Sequence, residues 1–173
     1  MSKKFFNNTW ESVEVLGKGS FGTVYKVKKI DDEIELYSAI KEICIPNNIE
    51  DISTLKTEGM TKENIDEELE SHVNSIKKEI KTLYKFKDST NIVNIEDYEV
   101  EELDSDNELC SKTYKIYIRM ELLQSIDDLF LREDLKDKEV LKLGIDIASA
   151  LEELESEKFI HRDIKPENIF VNS

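Results

Sequence analysis

The stretch GKGSFGTVYKVKK, residues 17–29, sets Gly17, Gly19 and Gly22 at G-x-G-x-x-G spacing, directly ahead of a segment that alternates through Val24 and Val27. Glycines at such a spacing let backbone amides approach a phosphate closely, because no Cβ stands in the way. In dinucleotide-binding folds a helix follows the glycines, so that its N-terminus meets the pyrophosphate. Here a strand follows. The preceding WESVEVLG, residues 10–17, alternates through Val13 and Val15, so the unit reads as strand, glycine turn, strand: a hairpin folded over a ligand.

Working outward, the acidic turn Asp31-Asp32-Glu33 leads into a third strand, LYSAIKEI (36–43), which ends at Pro46 and the Asn47-Asn48 pair. Residues 49–60 are polar and read as a loop. Thr61 caps a long helix over 61–86, whose Ile65, Leu69, Val73, Ile76, Ile80 and Leu83 recur every three or four positions. Two further strands are expected over Asn91–Val100 and Lys115–Arg119, separated by the acidic tip EELDSDNEL, which reads as a solvated hairpin loop. A short helix covers Ile126–Arg132 and a longer one Asp137–Lys158. In the latter, Leu141, Ile145 and Ala148 widen the stripe of Val140, Leu143, Ile147, Leu151 and Leu154. A helix so apolar requires packing partners on several sides.

The length suits one domain or two small lobes. A formal charge of −15 disfavours nucleic acid and anionic membrane as partners. An anionic ligand must then be held by local positive charge, which screening permits. Cys44 and Cys110 make no disulfide framework and no metal spacing; Cys44 reads as a core residue and Cys110 as a loop residue. No secretory signal and no membrane-spanning run is found, so a cytoplasmic location is expected.

Two constellations carry chemistry. Lys41 lies inside an apolar strand, and Glu79 lies mid-helix beside the inward-facing Ile80. A lysine on the sheet and a glutamate on the packed helix can pair, holding the ammonium ready for phosphate oxygens. In HRDIKPENIF (161–170), Asp163 can accept a hydroxyl proton, and Lys165 can neutralise a transferring phosphoryl group. The Asn168 amide oxygen can ligate Mg²⁺, a hard cation that prefers oxygen.

Together these motifs resemble those of protein kinases, with a flavour similar to the bacterial serine/threonine enzymes. Gly17-x-Gly19-x-x-Gly22-x-Val24 looks like the phosphate-covering loop. Ala39-Ile40-Lys41 looks like the strand-lysine motif and Glu79 like its partner. His161-Arg162-Asp163 with Asn168 looks like the catalytic loop. The resemblance implies an α+β fold: a five-stranded antiparallel N-lobe sheet with one long packed helix over 9–123, then the start of a helical C-lobe over 124–173. It implies ATP and Mg²⁺ as ligands and protein serine or threonine hydroxyls as acceptors. It also assigns Leu16, Val24 and Ala39 to the adenine pocket, Met120 to its back, and backbone groups of Glu121 and Leu123 to hydrogen bonds with the base. His161 and Arg162 receive no chemical role. The 38 positions from Lys41 to Glu79 exceed the usual connection, and the long helix with its preceding loop absorbs the excess. The sequence stops after Asn172-Ser173, ahead of the Asp-Phe-Gly segment of such enzymes. The expectation is therefore an incomplete C-lobe and negligible phosphotransfer by these 173 residues alone. The alternative is an inactive pseudokinase that binds nucleotide or serves as a scaffold.

Overall fold

Alternating β-branched and aromatic residues in the first 120 positions of the chain build one antiparallel sheet, as the period-2 pattern predicts. The computed structural model describes residues 2–19, 22–132 and 136–172. The chain divides into two compact units. The first is Met1–Lys85 with Ile95–Glu121, and the second is Phe86–Asn94 with Leu122–Ser173.

The first unit holds strands β1 (Lys4–Phe5), β2 (Trp10–Gly19), β3 (Gly22–Asp31), β4 (Ile34–Ile45), β5 (Ile95–Asp104) and β6 (Lys112–Met120), in the sheet order β1-β2-β3-β4-β6-β5. It also holds helices α1 (Ile49–Thr57) and α2 (Lys62–Leu83). The α2 stripe is as expected: Ile65, Leu69, Val73 and Ile80 are buried against Ile45, Ile95, Ile116 and Ile118 of the sheet. Thr61 caps α2 by accepting a hydrogen bond from the Asn64 amide. The opposite face of the sheet has its own core of Phe5, Trp10, Val27, Ile40 and Tyr117.

Four expectations need correction. The sheet has six strands rather than five, because Lys4–Phe5 pairs antiparallel with Glu11 and Trp10 and seats Phe5 between the rings of Tyr25 and Tyr117. Residues 49–57 are helical, not loop. Asn48 and Asp51 form a reciprocal capping box, and Ile52 is buried. The β5–β6 connection is not merely solvated: Lys62 of α2 donates to the Asn107 carbonyl, and Asp66 accepts from the Ser111 amide at 2.8 Å. The same connection buries Cys110, a loop residue as expected but part of the core, while Cys44, expected in the core, is only half-buried.

The second unit holds the short hairpin of β7 (Gln124–Ser125) and β8 (Phe170–Val171), with helices α3 (Ile126–Arg132) and α4 (Asp137–Ser156). Leu154 of α4 is buried, and Leu143 and Ile147 are half-buried. Val140, Leu141, Ile145 and Leu151 remain exposed. Of the expected C-lobe span, residues 133–135 and 173 lie outside the described residues.

Candidate active site

In the first unit, the glycine motif lies where β2 turns into β3. Gly19 pairs with Gly22, and the tip residues 20–21 of the expected hairpin lie outside the described residues. Two bulges bend β2 here, at Val13 and at Leu16, where the register slips between Ser12 and Glu14 and again between Val15 and Gly17. Such bulges increase local twist and re-aim the extra side chain. Leu16 is therefore turned out of the regular alternation and is exposed. A Cβ on Gly17 or Gly19 would meet nothing within 4 Å, so the backbone there borders open space. Gly22 differs. Its φ is +115°, and a Cβ would lie 2.0 Å from the Glu42 carbonyl oxygen.

Strand pairing brings several predicted residues together. Val24 is opposite Lys41, and Ala39 is opposite Met120 at the end of β6. Alternation puts Ala39, Lys41 and Ile43 on the face that α2 covers, and Ile40 and Glu42 on the other. Burial pulls the Lys41 ammonium below its ordinary pKa, and the negative charge of Glu79 on α2 partly opposes that shift. Glu79 therefore lies close enough to Lys41 for its charge to act on the ammonium. Met120 and Glu121 follow at the unit's last positions, both half-buried.

In the second unit, residues 161–170 form an exposed loop tied at both ends. The Phe159 amide closes α4 by donating to Leu154 at 2.9 Å, and the Ile126 amide donates to the Ile169 carbonyl at 3.0 Å. Leu123 immediately precedes β7. Pro166–Asn168 makes one 3-10 turn, with proline at a position that needs no donor. This turn carries Asn168 back onto Asp163: its Nδ2 donates to the Asp163 carbonyl and to Oδ2, both at 2.9 Å. Lys165 Nζ lies 3.0 Å from the same carboxylate. The hydrogen bonds from Lys165 and then Asn168 hold the Asp163 carboxyl below its ordinary pKa. Arg162 has a φ of 65°, an uncommon conformation for a residue with a side chain.

With its nitrogen engaged by Asp163, Asn168 has its amide oxygen as the atom suited to a hard cation. That fits one ligand of Mg²⁺. Among the described residues no group of three His, Cys, Asp or Glu side chains is placed to hold a metal alone. No helix among the described residues is long and apolar enough to cross a membrane.

Sequence reasoning missed the polar cluster behind Ala39. Ser38 is fully buried and donates to the Met120 carbonyl and to Glu96. A polar residue at an inward position of β4 was the available signal.

Comparison with characterised proteins points the same way. The probable serine/threonine-protein kinase fnkE of Dictyostelium discoideum is 26% identical over 98% of the chain. The membrane-associated tyrosine- and threonine-specific cdc2-inhibitory kinase wee-1.3 of Caenorhabditis briggsae is 28% identical over 98%. Human tyrosine-protein kinase Fer is 31% identical over 91%. All three come from eukaryotes, so these relatives give no support to the bacterial character expected from the sequence. The chain spans only 11%, 21% and 15% of their respective lengths. The protein kinase domain model matches residues 10–173. On that match, and on a sheet and helices of the expected kind, this chain belongs to the protein kinase domain family.

Proposed function

We propose that this chain supplies the nucleotide-binding lobe and catalytic loop of an ATP-dependent protein kinase acting on serine and threonine hydroxyls. The observation that carries the reading is the Asp163 carboxylate, kept ionised by Lys165 and Asn168 on an exposed loop. A carboxylate so placed is an acceptor for a substrate hydroxyl proton. In the reaction, the acceptor oxygen bonds to the γ-phosphorus as the bond from that phosphorus to the β–γ bridging oxygen breaks, leaving ADP. The hydroxyl proton passes to Asp163. Lys165, already beside that carboxylate, steadies charge on the phosphoryl oxygens, and Lys41 binds the α and β phosphates while Glu79 keeps it oriented. Gly17 and Gly19 admit the phosphates to the backbone, and Leu16, Val24 and Ala39 contact the purine. Mg²⁺, when bound, would neutralise phosphate charge, and the Asn168 amide oxygen would be one of its ligands. Positioning and electrostatics contribute most of the rate in such transfers. The relatives act on tyrosine as well as threonine or serine by their names, so the preference for serine and threonine rests on the similarity of Lys165, two residues after Asp163, to the serine/threonine-specific form of the kinase catalytic loop.

Calorimetric titration of the chain with ATP and Mg²⁺ tests the nucleotide part. Saturable binding is expected, and Lys41→Ala should weaken it about tenfold or more, the scale of one charge-assisted hydrogen bond. No saturable binding by the unaltered chain would sink the reading. For the acceptor, the full-length gene product should label serine and threonine peptides. Labelling confined to tyrosine would overturn that preference.

A further inference from the structure

Ser38 is 0% exposed, yet it places a hydroxyl in the sheet interior. Its Oγ lies 2.7 Å from the Met120 carbonyl oxygen and 2.9 Å from Glu96 Oε2. A hydroxyl has one proton, so it donates to these two acceptors in alternation or shares the proton between them. Glu96 reaches this point because it is the extra residue of a β-bulge. Ile95 pairs with Met120 and Asp97 with Arg119, which leaves Glu96 without a ladder partner; the residue is exposed, and its carboxylate reaches the Ser38 hydroxyl. Three further contacts hold Glu96. Arg119 Nη1 donates to the same carboxylate oxygen. The Arg119 guanidinium lies over the Trp10 ring, 5.0 Å from its centroid. The Tyr84 hydroxyl donates to the Glu96 backbone carbonyl at 3.0 Å.

The cluster stands on the face of the sheet away from Lys41. Arg119 is opposite Ile40, whereas Met120 is opposite Ala39, and successive side chains alternate between faces. Its link to the α2-covered face is therefore through backbone, chiefly the Met120 carbonyl. Glu96 and Arg119 meet at a single donor of the guanidinium fork, since Arg119 Nε is buried without a hydrogen-bond partner among the described residues. The cluster thus clamps one spot, the end of β6, rather than satisfying itself.

We propose that Ser38, Glu96 and Arg119 are positioning residues for purine recognition: they hold the Met120–Glu121 backbone where the base meets it, and so set affinity for the base and not for the phosphates. This rests on the nucleotide reading above, in which the Glu121 backbone hydrogen-bonds adenine. None of the three touches the nucleotide.

The test separates base from phosphate by titrating the chain with adenosine and, independently, with inorganic tripolyphosphate. Ser38→Ala and Glu96→Ala should each weaken adenosine binding about fivefold, the scale of a partly lost charged hydrogen bond, while tripolyphosphate binding stays unchanged. Ser38→Thr, which keeps the hydroxyl, should restore adenosine affinity relative to Ser38→Ala. The Glu96 side chain is 33% exposed, so its truncation opens no core and reports even if Ser38→Ala fails to fold. Unchanged adenosine affinity in Glu96→Ala overturns the inference, and so do equal losses for both probes, which indicate general loosening. If the unaltered chain takes tripolyphosphate but not adenosine, the inference falls while phosphate binding stands. If it takes neither, the nucleotide reading fails and carries the inference with it.

Discussion

An alanine at position 22 would set its Cβ 2.0 Å from the Glu42 carbonyl, at a φ of +115° that side chains disfavour. Backbone cannot yield there without moving β4, so Gly22→Ala should cost about 3 kcal/mol or more, read from chemical melts. Gly17→Ala meets open space, and stability should hold or rise by about 0.5 kcal/mol through a stiffer unfolded chain. ATP affinity should nevertheless fall, because the added methyl occupies the room a phosphate needs. Equal effects of the two substitutions on stability would contradict this division of labour within one motif. At Asp163 the lowered pKa has a direct consequence for pH. A carboxyl depressed in the folded state stabilises it above its unfolded pKa, and that contribution is lost as pH falls through the folded value, on the acid side of the ordinary aspartate range. Lys165 is the larger cause. Carbon NMR titration of Lys165→Ala should therefore return the Asp163 midpoint upward, towards the ordinary aspartate range; an unmoved midpoint would show that Asn168 alone holds it.

Among the elements, β1 is the one whose energetic role is easiest to isolate. Phe5 is 2% exposed, with ring centroids 5.4 Å from Tyr25 and 5.5 Å from Tyr117. Lys3 adds an ion pair with Glu42, a nearly buried carboxylate that also accepts from the Tyr25 hydroxyl at 3.2 Å. Because β1 pairs through only two residues, Phe5→Ala should release the strand and lose about 2 kcal/mol, the burial of one aromatic side chain. Amide exchange should then accelerate at Lys4 and Phe5 while α2 stays protected; a global loss of protection would make β1 part of the cooperative core. The helices differ in how visible they were. Six turns of one apolar period announce α2. Helix α1 has nine residues and one buried side chain, Ile52, so its period is too short to stand out. Its signal was the Asn48–Asp51 capping box, hidden because the asparagine pair also reads as a turn.

For the whole molecule, the exposed side of α4 has the largest consequence. Leu141 is 66% exposed and Ile145 56%, one turn apart on the same face, with Val140 and Leu151 exposed beside them. Apolar surface grouped in this way favours association. Sedimentation velocity should show concentration-dependent self-association of the chain, and Leu141→Glu combined with Ile145→Glu should suppress it. A monomer at every concentration would remove the expectation.

Sequence alone determined the glycine hairpin, strands β2 to β6, α2 and α4, and the Asp163–Asn168 loop. Each is encoded by periodicity or spacing within a few turns of chain, which local physics reads without partners. Tertiary structure decided what depends on residues far apart: Phe5 in its aromatic slot, Cys110 buried and Cys44 half-exposed, and Ser38 bonded to Glu96 and Met120. Those groups are 58 and 82 positions from Ser38 along the chain. A bulge at Glu96 and the pairing of β4 with β6 bring them within hydrogen-bond reach, and no pattern along one segment carries that information.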